Sequence, residues 1–271
     1  MKLNVLLNDR SFGLEITVSR VEDLHPHEEV IPSHLEHLIR AFKDSLYQRN
    51  PVIVDSSSNI VLDGTHRWAV MRALNYEWIA TCNIDYCDPL VELDSWSRLF
   101  RPPRDINLDL SKVLEGLEIE PISFQEIGNR DLVVIIYNNV LRIRFREILE
   151  AFKKLRFIEE KLTKLTESKP SYVLRTSVER HSRSGIVVLP PRPYKEEVVK
   201  IVREGHLFPP KSTRHVVPAR PMGVNIPLKF LRSKLLDIEL VEEFLRQRSP
   251  LLLRPPVLLD REYQEAIIYF I

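Results

Sequence analysis

The chain has 271 residues, 44% of them hydrophobic and 28% charged, with a formal net charge of +1. That apolar content supports a sizeable core in one large or two modest domains and excludes a disordered chain. No apolar run approaches the ~20 residues of a membrane span, and the opening MKLNVLLNDRSFGLEITV has one lysine and little apolar length, so a cytoplasmic protein without membrane contact is expected. Two cysteines, Cys82 and Cys87, are too few for a disulfide framework or a zinc site. The charge is unevenly spread: residues 142–220 hold 19 Lys and Arg against 9 acidic residues, or +10, which leaves −9 for the rest. Such a basic region can bind nucleic acid or close over the phosphates of a small nucleotide.

In chain order, Leu14 to Val18 reads as a strand, and His25-Pro26-His27 as a turn before a helix that begins near Pro32-Ser33. Over His34 to Leu46, the apolar residues Leu35, Leu38, Ile39, Phe42 and Leu46 recur with a helical period, so one face is expected against a core. Pro51 to Val54 and Ile60 to Leu62, separated by Ser56-Ser57-Ser58-Asn59, predict a hairpin that ends at Asp63. A helix over Thr65 to Leu74, a strand over Trp78 to Tyr86 and a helix over Leu90 to Leu99 follow. Beyond residue 105, the pattern predicts a short helix at Val113 to Leu117. It then predicts a hairpin from Asp131 to Ile143 turned by Asn138-Asn139, and a long amphipathic helix over 146–166. A buried strand at Ile186 to Leu189, a helix over Lys195 to Glu204 stopped by Gly205, a helix over 238–249 and a terminal strand from Ala266 complete the series.

The segment Asp63-Gly64-Thr65-His66-Arg67-Trp68 joins a strand to a helix. Glycine lets the backbone approach an anion, the first helical turn offers unpaired N–H groups, and Thr65, His66 and Arg67 add side-chain donors. Asp63 at the strand end suits two roles, holding Mg²⁺ beside phosphates or orienting a nucleophile; it is also an ordinary helix cap. Phosphoryl transfer to a hydroxyl needs a carboxylate to take the proton and positive charge around the moving group. Glu28, behind two histidines and a proline, is placed to project as such a carboxylate, with Glu29 the neighbouring alternative.

The order strand, HPHE turn, helix, hairpin, DGTHRW, helix, strand resembles the ParB and sulfiredoxin superfamily. Together His25-Pro26-His27-Glu28-Glu29, Asp63-Gly64-Thr65-His66-Arg67-Trp68 and Pro210-Lys211-Ser212-Thr213-Arg214-His215-Val216-Val217-Pro218 resemble the archaeal free serine kinases. Sulfiredoxin chemistry needs a cysteine where this chain has Thr65. A ParB clamp needs an arginine-rich tetrad and a helix-turn-helix, whereas residues 105–145 read as a short helix and a hairpin. A ParB-type, nucleotide-dependent DNA-binding protein stands as the rival reading.

The resemblance implies an α+β fold: a ParB/sulfiredoxin-like nucleotide-binding domain over 1–104, a second mixed α/β lobe over 105–271, and a cleft between them. It implies phosphorylation of free L-serine to O-phospho-L-serine on the way to cysteine, with ADP or ATP as donor and Mg²⁺ as cofactor. By that resemblance Glu28 is the base and contacts serine, and Trp96 lines the serine pocket, although a core aromatic is the alternative for Trp96. Asp63 is catalytic and a metal ligand. Gly64, Thr65, His66 and Arg67 hold nucleotide phosphates, and Lys211, Ser212, Thr213, Arg214 and His215 complete the cradle. Where some family members carry a second histidine, this chain has Thr65. The partners expected are L-serine and an adenine nucleotide, with no nucleic acid and no membrane, in a monomer or homodimer. Residues after 229 read as an addition that extends the core or forms a dimer contact.

Overall fold

The computed structural model describes residues 1–7, 9–102, 110–136, 139–259 and 262–271. It contains two compact units: Met1–Glu92 with Val199–Leu207 and His215–Ile271, and Leu93–Val198 with Phe208–Arg214. The boundary expected between residues 104 and 105 lies outside the described residues. The units change over at Glu92 instead, and the chain later returns to the first of them.

The first unit is built on a six-stranded sheet in the order Lys2–Leu7, Arg10–Arg20, Trp78–Ile84, Val52–Asp55, Ile60–Asp63, His25–Pro26. Its pairs are antiparallel except for Val52–Asp55 beside Trp78–Ile84 and His25–Pro26 beside Ile60–Asp63, which run parallel. Continuous burial of Val52 to Asp55 and of Ile60 to Leu62 explains why these strands are unbroken apolar runs in sequence. The strand Lys2–Leu7 was not expected, although Leu3, Val5 and Leu7 alternate; full pairing with Arg10–Arg20 sets it in place. His25-Pro26, expected as a turn, forms a two-residue strand against Ile60 and Val61.

The helix Pro32–Lys43 ends before Leu46, which is exposed, and none of its residues is fully buried. Leu35 and Phe42 pack at the edge of the core instead. The helix Thr65–Ala73 buries Trp68, Ala69, Val70 and Met71. Cys82 is buried on the Trp78–Ile84 strand and Cys87 is exposed; both are free thiols.

Residues after 215 belong to this same core. Ala219–Met222 pairs parallel with Ala266–Phe270, which pairs antiparallel with Pro250–Leu253. Val241 and Leu245 of the helix Ile238–Arg246, together with Ile268 and Phe270, join the core that contains Phe12, Ile16 and Met71. The tail therefore extends the core of the first unit.

The second unit is an antiparallel sheet in the order Ile119–Ile122, Asn139–Ile143, Leu132–Ile136, Ile186–Leu189, Ser97–Phe100, Ser171–Val173. Leu132–Ile136 and Ile186–Leu189 are buried throughout, as interior strands require. The helix Ile148–Thr166 buries Ala151, Phe152, Leu155, Ile158 and Leu162, the period expected from sequence. The short helix is Leu110–Leu114, a few residues before the expected span. In the predicted Asn138-Asn139 turn, Asn138 lies outside the described residues and Asn139 pairs with Ile136.

The helix expected over Leu90 to Leu99 is absent, replaced by strands at Glu92–Asp94 and Ser97–Phe100. The apolar spacing fits a helix, but Ser97 to Phe100 are buried with sheet partners on both sides, and that pairing overrides the local pattern.

Candidate active site

Two parallel strands set the site of the first unit. His25 stands opposite Ile60 and Pro26 opposite Val61, so the residues leaving both strands, Glu28 from one and Asp63 to Arg67 from the other, emerge at the same sheet end. His27 reinforces this arrangement, its Nδ1 donating to the Val61 carbonyl at 2.6 Å. A carbonyl only accepts, so Nδ1 carries a proton, and Nε2 lies 3.7 Å from Glu28 Oε1. His27 is buried and the Glu28 side chain is mostly so.

The turn itself has the geometry of an anion site. Gly64 has φ +96°, and a Cβ built there would come within 2.6 Å of Arg67 Nη2 and 2.8 Å of Val52 Cγ1, so no other residue fits comfortably. Thr65 begins the helix, and its first intrahelical bond runs from the Trp68 N–H to the Gly64 carbonyl at 3.0 Å. The N–H groups of Thr65, His66 and Arg67 precede that bond and lack helical acceptors. His66 accepts the Ile31 N–H at Nε2 (2.9 Å) and lies with its ring 4.5 Å from that of His34, which leaves Nδ1 as its donor atom.

Asp63 Oδ2 accepts from Arg67 Nη2 at 3.2 Å and from Arg220 Nη1 at 2.6 Å. Burial would raise this carboxyl, but the Arg220 and Arg67 guanidiniums outweigh it and hold Asp63 well below the usual carboxylate range. Arg67 also reaches the Pro51 carbonyl at 3.3 Å, while its buried Nε has no partner among the described residues.

His215 also belongs to this unit. Its Nε2 is 2.8 Å from the Tyr86 hydroxyl, and its ring meets that of His27 edge-on with centroids 5.0 Å apart. Tyr86 is held in turn by its N–H on Asp55 Oδ1 at 3.2 Å.

Of the expected residues, Glu28, Asp63, Gly64, Thr65, His66, Arg67 and His215 are in the first unit; Trp96, Lys211, Ser212, Thr213 and Arg214 are in the second. There the Arg214 guanidinium lies over the Trp96 ring at 5.5 Å. Trp96 sits between strands and not on a helix, and it is partly buried. Ser212 is fully buried and its hydroxyl donates to the Pro209 carbonyl at 2.7 Å, so it braces its own loop. Lys211 takes a left-handed backbone, φ +60°. Arg98, almost wholly buried, ties the segment together by donating to the Trp96 carbonyl at 2.6 Å, the Pro210 carbonyl at 3.4 Å and Glu159 Oε2 at 3.0 Å.

Sequence reading missed Arg220, Glu265 and Tyr86 as site residues. For Arg220 a signal existed, a lone arginine between Ala219 and Pro221 in a strand otherwise buried. Nothing in the sequence places Tyr86 beside His215, 129 residues away.

No family model matches the chain. Curated archaeal relatives do, among them the following three. An ATP-dependent L-serine kinase of Staphylothermus marinus is 28% identical, over 78% of this chain and 89% of the relative. An ADP-dependent L-serine kinase of Thermococcus kodakarensis is 26% identical, over 78% and 90%. A ParB-like protein of Sulfolobus acidocaldarius is 30% identical, over 72% and 87%. Among solved structures, a free serine kinase in complex with AMP, crystallised as a glutamate-to-glutamine variant, matches with a TM-score of 0.65 at 21% identity, over 80% of this chain and 93% of that one. A glutamate-to-alanine variant in complex with ADP matches with a TM-score of 0.66 over the same shares. The chain belongs to the ParB-like family, and its relatives include archaeal L-serine kinases.

Proposed function

We propose that this protein phosphorylates free L-serine to O-phospho-L-serine with an adenine nucleotide, ADP or ATP, as donor, in a route toward cysteine. The observation that supports the reading is the shared sheet end, at which the segment carrying Glu28 and the Asp63-Gly64-Thr65-His66-Arg67 turn both emerge. Kinase relatives with either donor support it.

In this reading the nucleotide phosphates rest on the N–H groups of Thr65, His66 and Arg67, where Gly64 allows close approach and the helix N-terminus favours negative charge. Arg67 and His66 Nδ1 add donors to the charge spreading over the transferred group. Glu28 takes the proton of the serine hydroxyl as that oxygen attacks the terminal phosphorus in line. His215, held by Tyr86, presents its ring at the same buried cluster. Family resemblance assigns Trp96 to serine, and Lys211, Thr213 and Arg214 to phosphate. Ser212, with its hydroxyl turned to Pro209, serves that group by shaping the loop.

Among the described residues, no three His, Cys, Asp or Glu side chains gather at one point, so there is no preformed metal cage. Mg²⁺ normally arrives with phosphates and takes one or two protein carboxylates. Asp63 fits that need, since both its guanidinium partners use Oδ2 and Oδ1 has none among the described residues. Held there, Mg²⁺ would neutralise charge on the nucleotide oxygens.

No described helix is long and apolar enough to cross a membrane. A second reading, nucleotide-dependent DNA binding, has in its favour the relative called ParB-like and the +10 balance of residues 142–220. One set of incubations separates the two: protein with L-serine, Mg²⁺ and ADP or ATP, read by mass spectrometry, beside a gel shift on duplex DNA. Phosphoserine with AMP or ADP formed in the absence of DNA establishes the kinase and its donor. A salt-sensitive shift without phosphoserine establishes the alternative.

A further inference from the structure

Asp63 is one end of a charged chain that reaches the C-terminal segment. Arg220 donates from Nη1 to Asp63 Oδ2 at 2.6 Å and from Nε to Glu265 Oε1 at 3.1 Å. The Arg220 and Glu265 side chains are 11% and 8% exposed, so neither ion is screened by much water. Sheet register allows the contact: Arg220 stands opposite Ile267 in the parallel pair, and Glu265, two residues before Ile267, is its diagonal neighbour on the same face. A guanidinium carries donors on two edges of a rigid plane and can bridge two carboxylates at fixed angles, which an ammonium on a flexible stem does not do. Arg67 approaches the same Oδ2 from the helix side, so the carboxylate is braced from two elements.

We propose that Arg220, held by Glu265, is a positioning residue for Asp63, fixing the carboxylate so that Oδ1 is presented to the nucleotide and making the segment after residue 229 a structural part of the active site. The inference rests on the kinase reading and adds to it two residues that act through Asp63 without touching substrate.

A double-mutant cycle on the full-length protein tests it, with phosphoserine formation as readout. Asp63→Asn and Arg220→Gln should each lower kcat by at least ~30-fold with KM for serine changed by less than ~3-fold, and the double variant should be no slower than the slower single variant. Arg220→Lys should restore less than about a tenth of kcat, because the charge returns without the two-edged geometry. Since Arg220→Gln leaves Glu265 buried without its partner, Arg220→Gln/Glu265→Gln serves as the charge-neutral control for folding, followed by thermal unfolding, and should show the same loss of kcat. Multiplicative effects in the cycle, or wild-type kcat in Arg220→Lys, overturn the inference while leaving the kinase reading intact. A wild-type protein that makes no phosphoserine from either donor overturns both.

Discussion

The imidazole of His27 donates from Nδ1 to the carbonyl of Val61 at 2.6 Å, a buried bond between segments 34 residues apart. It fastens the chain just before Glu28 to the strand just before Asp63, so one hydrogen bond governs the spacing of the proposed base and the phosphate turn. His27→Ala removes that bond and opens a cavity, and should cost about 1–3 kcal/mol of stability. Urea unfolding measures it. Phosphate transfer should fall further than the lost folded fraction explains, and an unchanged unfolding midpoint with full activity contradicts this role.

Gly64→Ala tests the turn. The added Cβ meets Arg67 Nη2 and Val52 Cγ1 below 3 Å on a backbone with φ +96°. Left-handed strain alone costs about 1–2 kcal/mol, and displacing Arg67 should weaken nucleotide binding by at least ~10-fold. Calorimetric titration with ADP and ATP reads the second effect, denaturant unfolding the first. Wild-type affinity in a folded variant would remove the turn from the phosphate site.

The strand and helix that flank residues 63–67 were legible from sequence because each signal there is local: an unbroken apolar run, a glycine, then a helical period. The same locality misread Leu90 to Leu99, where the apolar spacing suits a helix and only the strands on either side of Ser97–Phe100 decide otherwise. Glu28 and the DGTHR turn could be paired through family resemblance, whereas their physical link, His25-Pro26 as a parallel strand beside Ile60-Val61, is a long-range contact that two residues cannot announce. The pairing of Arg220 with Glu265 was hidden for a similar reason. Their ion pair depends on the register of a parallel pair 45 residues apart, and no pattern in residues 219–222 reveals what stands opposite.

Asp55 gives the fold a pH signature of its own. Burial pushes its carboxyl up, but the hydroxyls of Ser58 and Ser57 and the N–H groups of Tyr86 and Ser57 outweigh burial and lower it. A carboxyl lowered in the folded state contributes stability that is fully present above its unfolded value, about 3.9, and is lost as pH falls through the lower folded value. Asp55→Asn should therefore be less stable than wild type at neutral pH, with the gap closing below about pH 4. Urea midpoints between pH 7 and 3 supply the comparison, and a gap that widens on acidification contradicts the sign.

In the second unit, Arg98 supports both Trp96 and Pro210 through their carbonyls and pairs with Glu159. Arg98→Met leaves those carbonyls and the Glu159 carboxylate without their donor, and should destabilise by about 3–5 kcal/mol. Glu159→Gln keeps an acceptor for Nε and should cost closer to 1 kcal/mol. Denaturant unfolding distinguishes the two, and equal effects below about 1 kcal/mol would show Arg98 to be dispensable for the segment.

The central claim is that Glu28 accepts the serine hydroxyl proton during phosphoryl transfer. Its most direct test compares wild type with Glu28→Gln, each incubated with L-serine, Mg²⁺ and the nucleotide that the wild type uses, following O-phospho-L-serine by mass spectrometry with nucleotide affinity measured in parallel. The account predicts loss of phosphoserine formation by at least ~100-fold, with nucleotide affinity within ~3-fold of wild type. Phosphoserine formed at the wild-type rate by Glu28→Gln would contradict it.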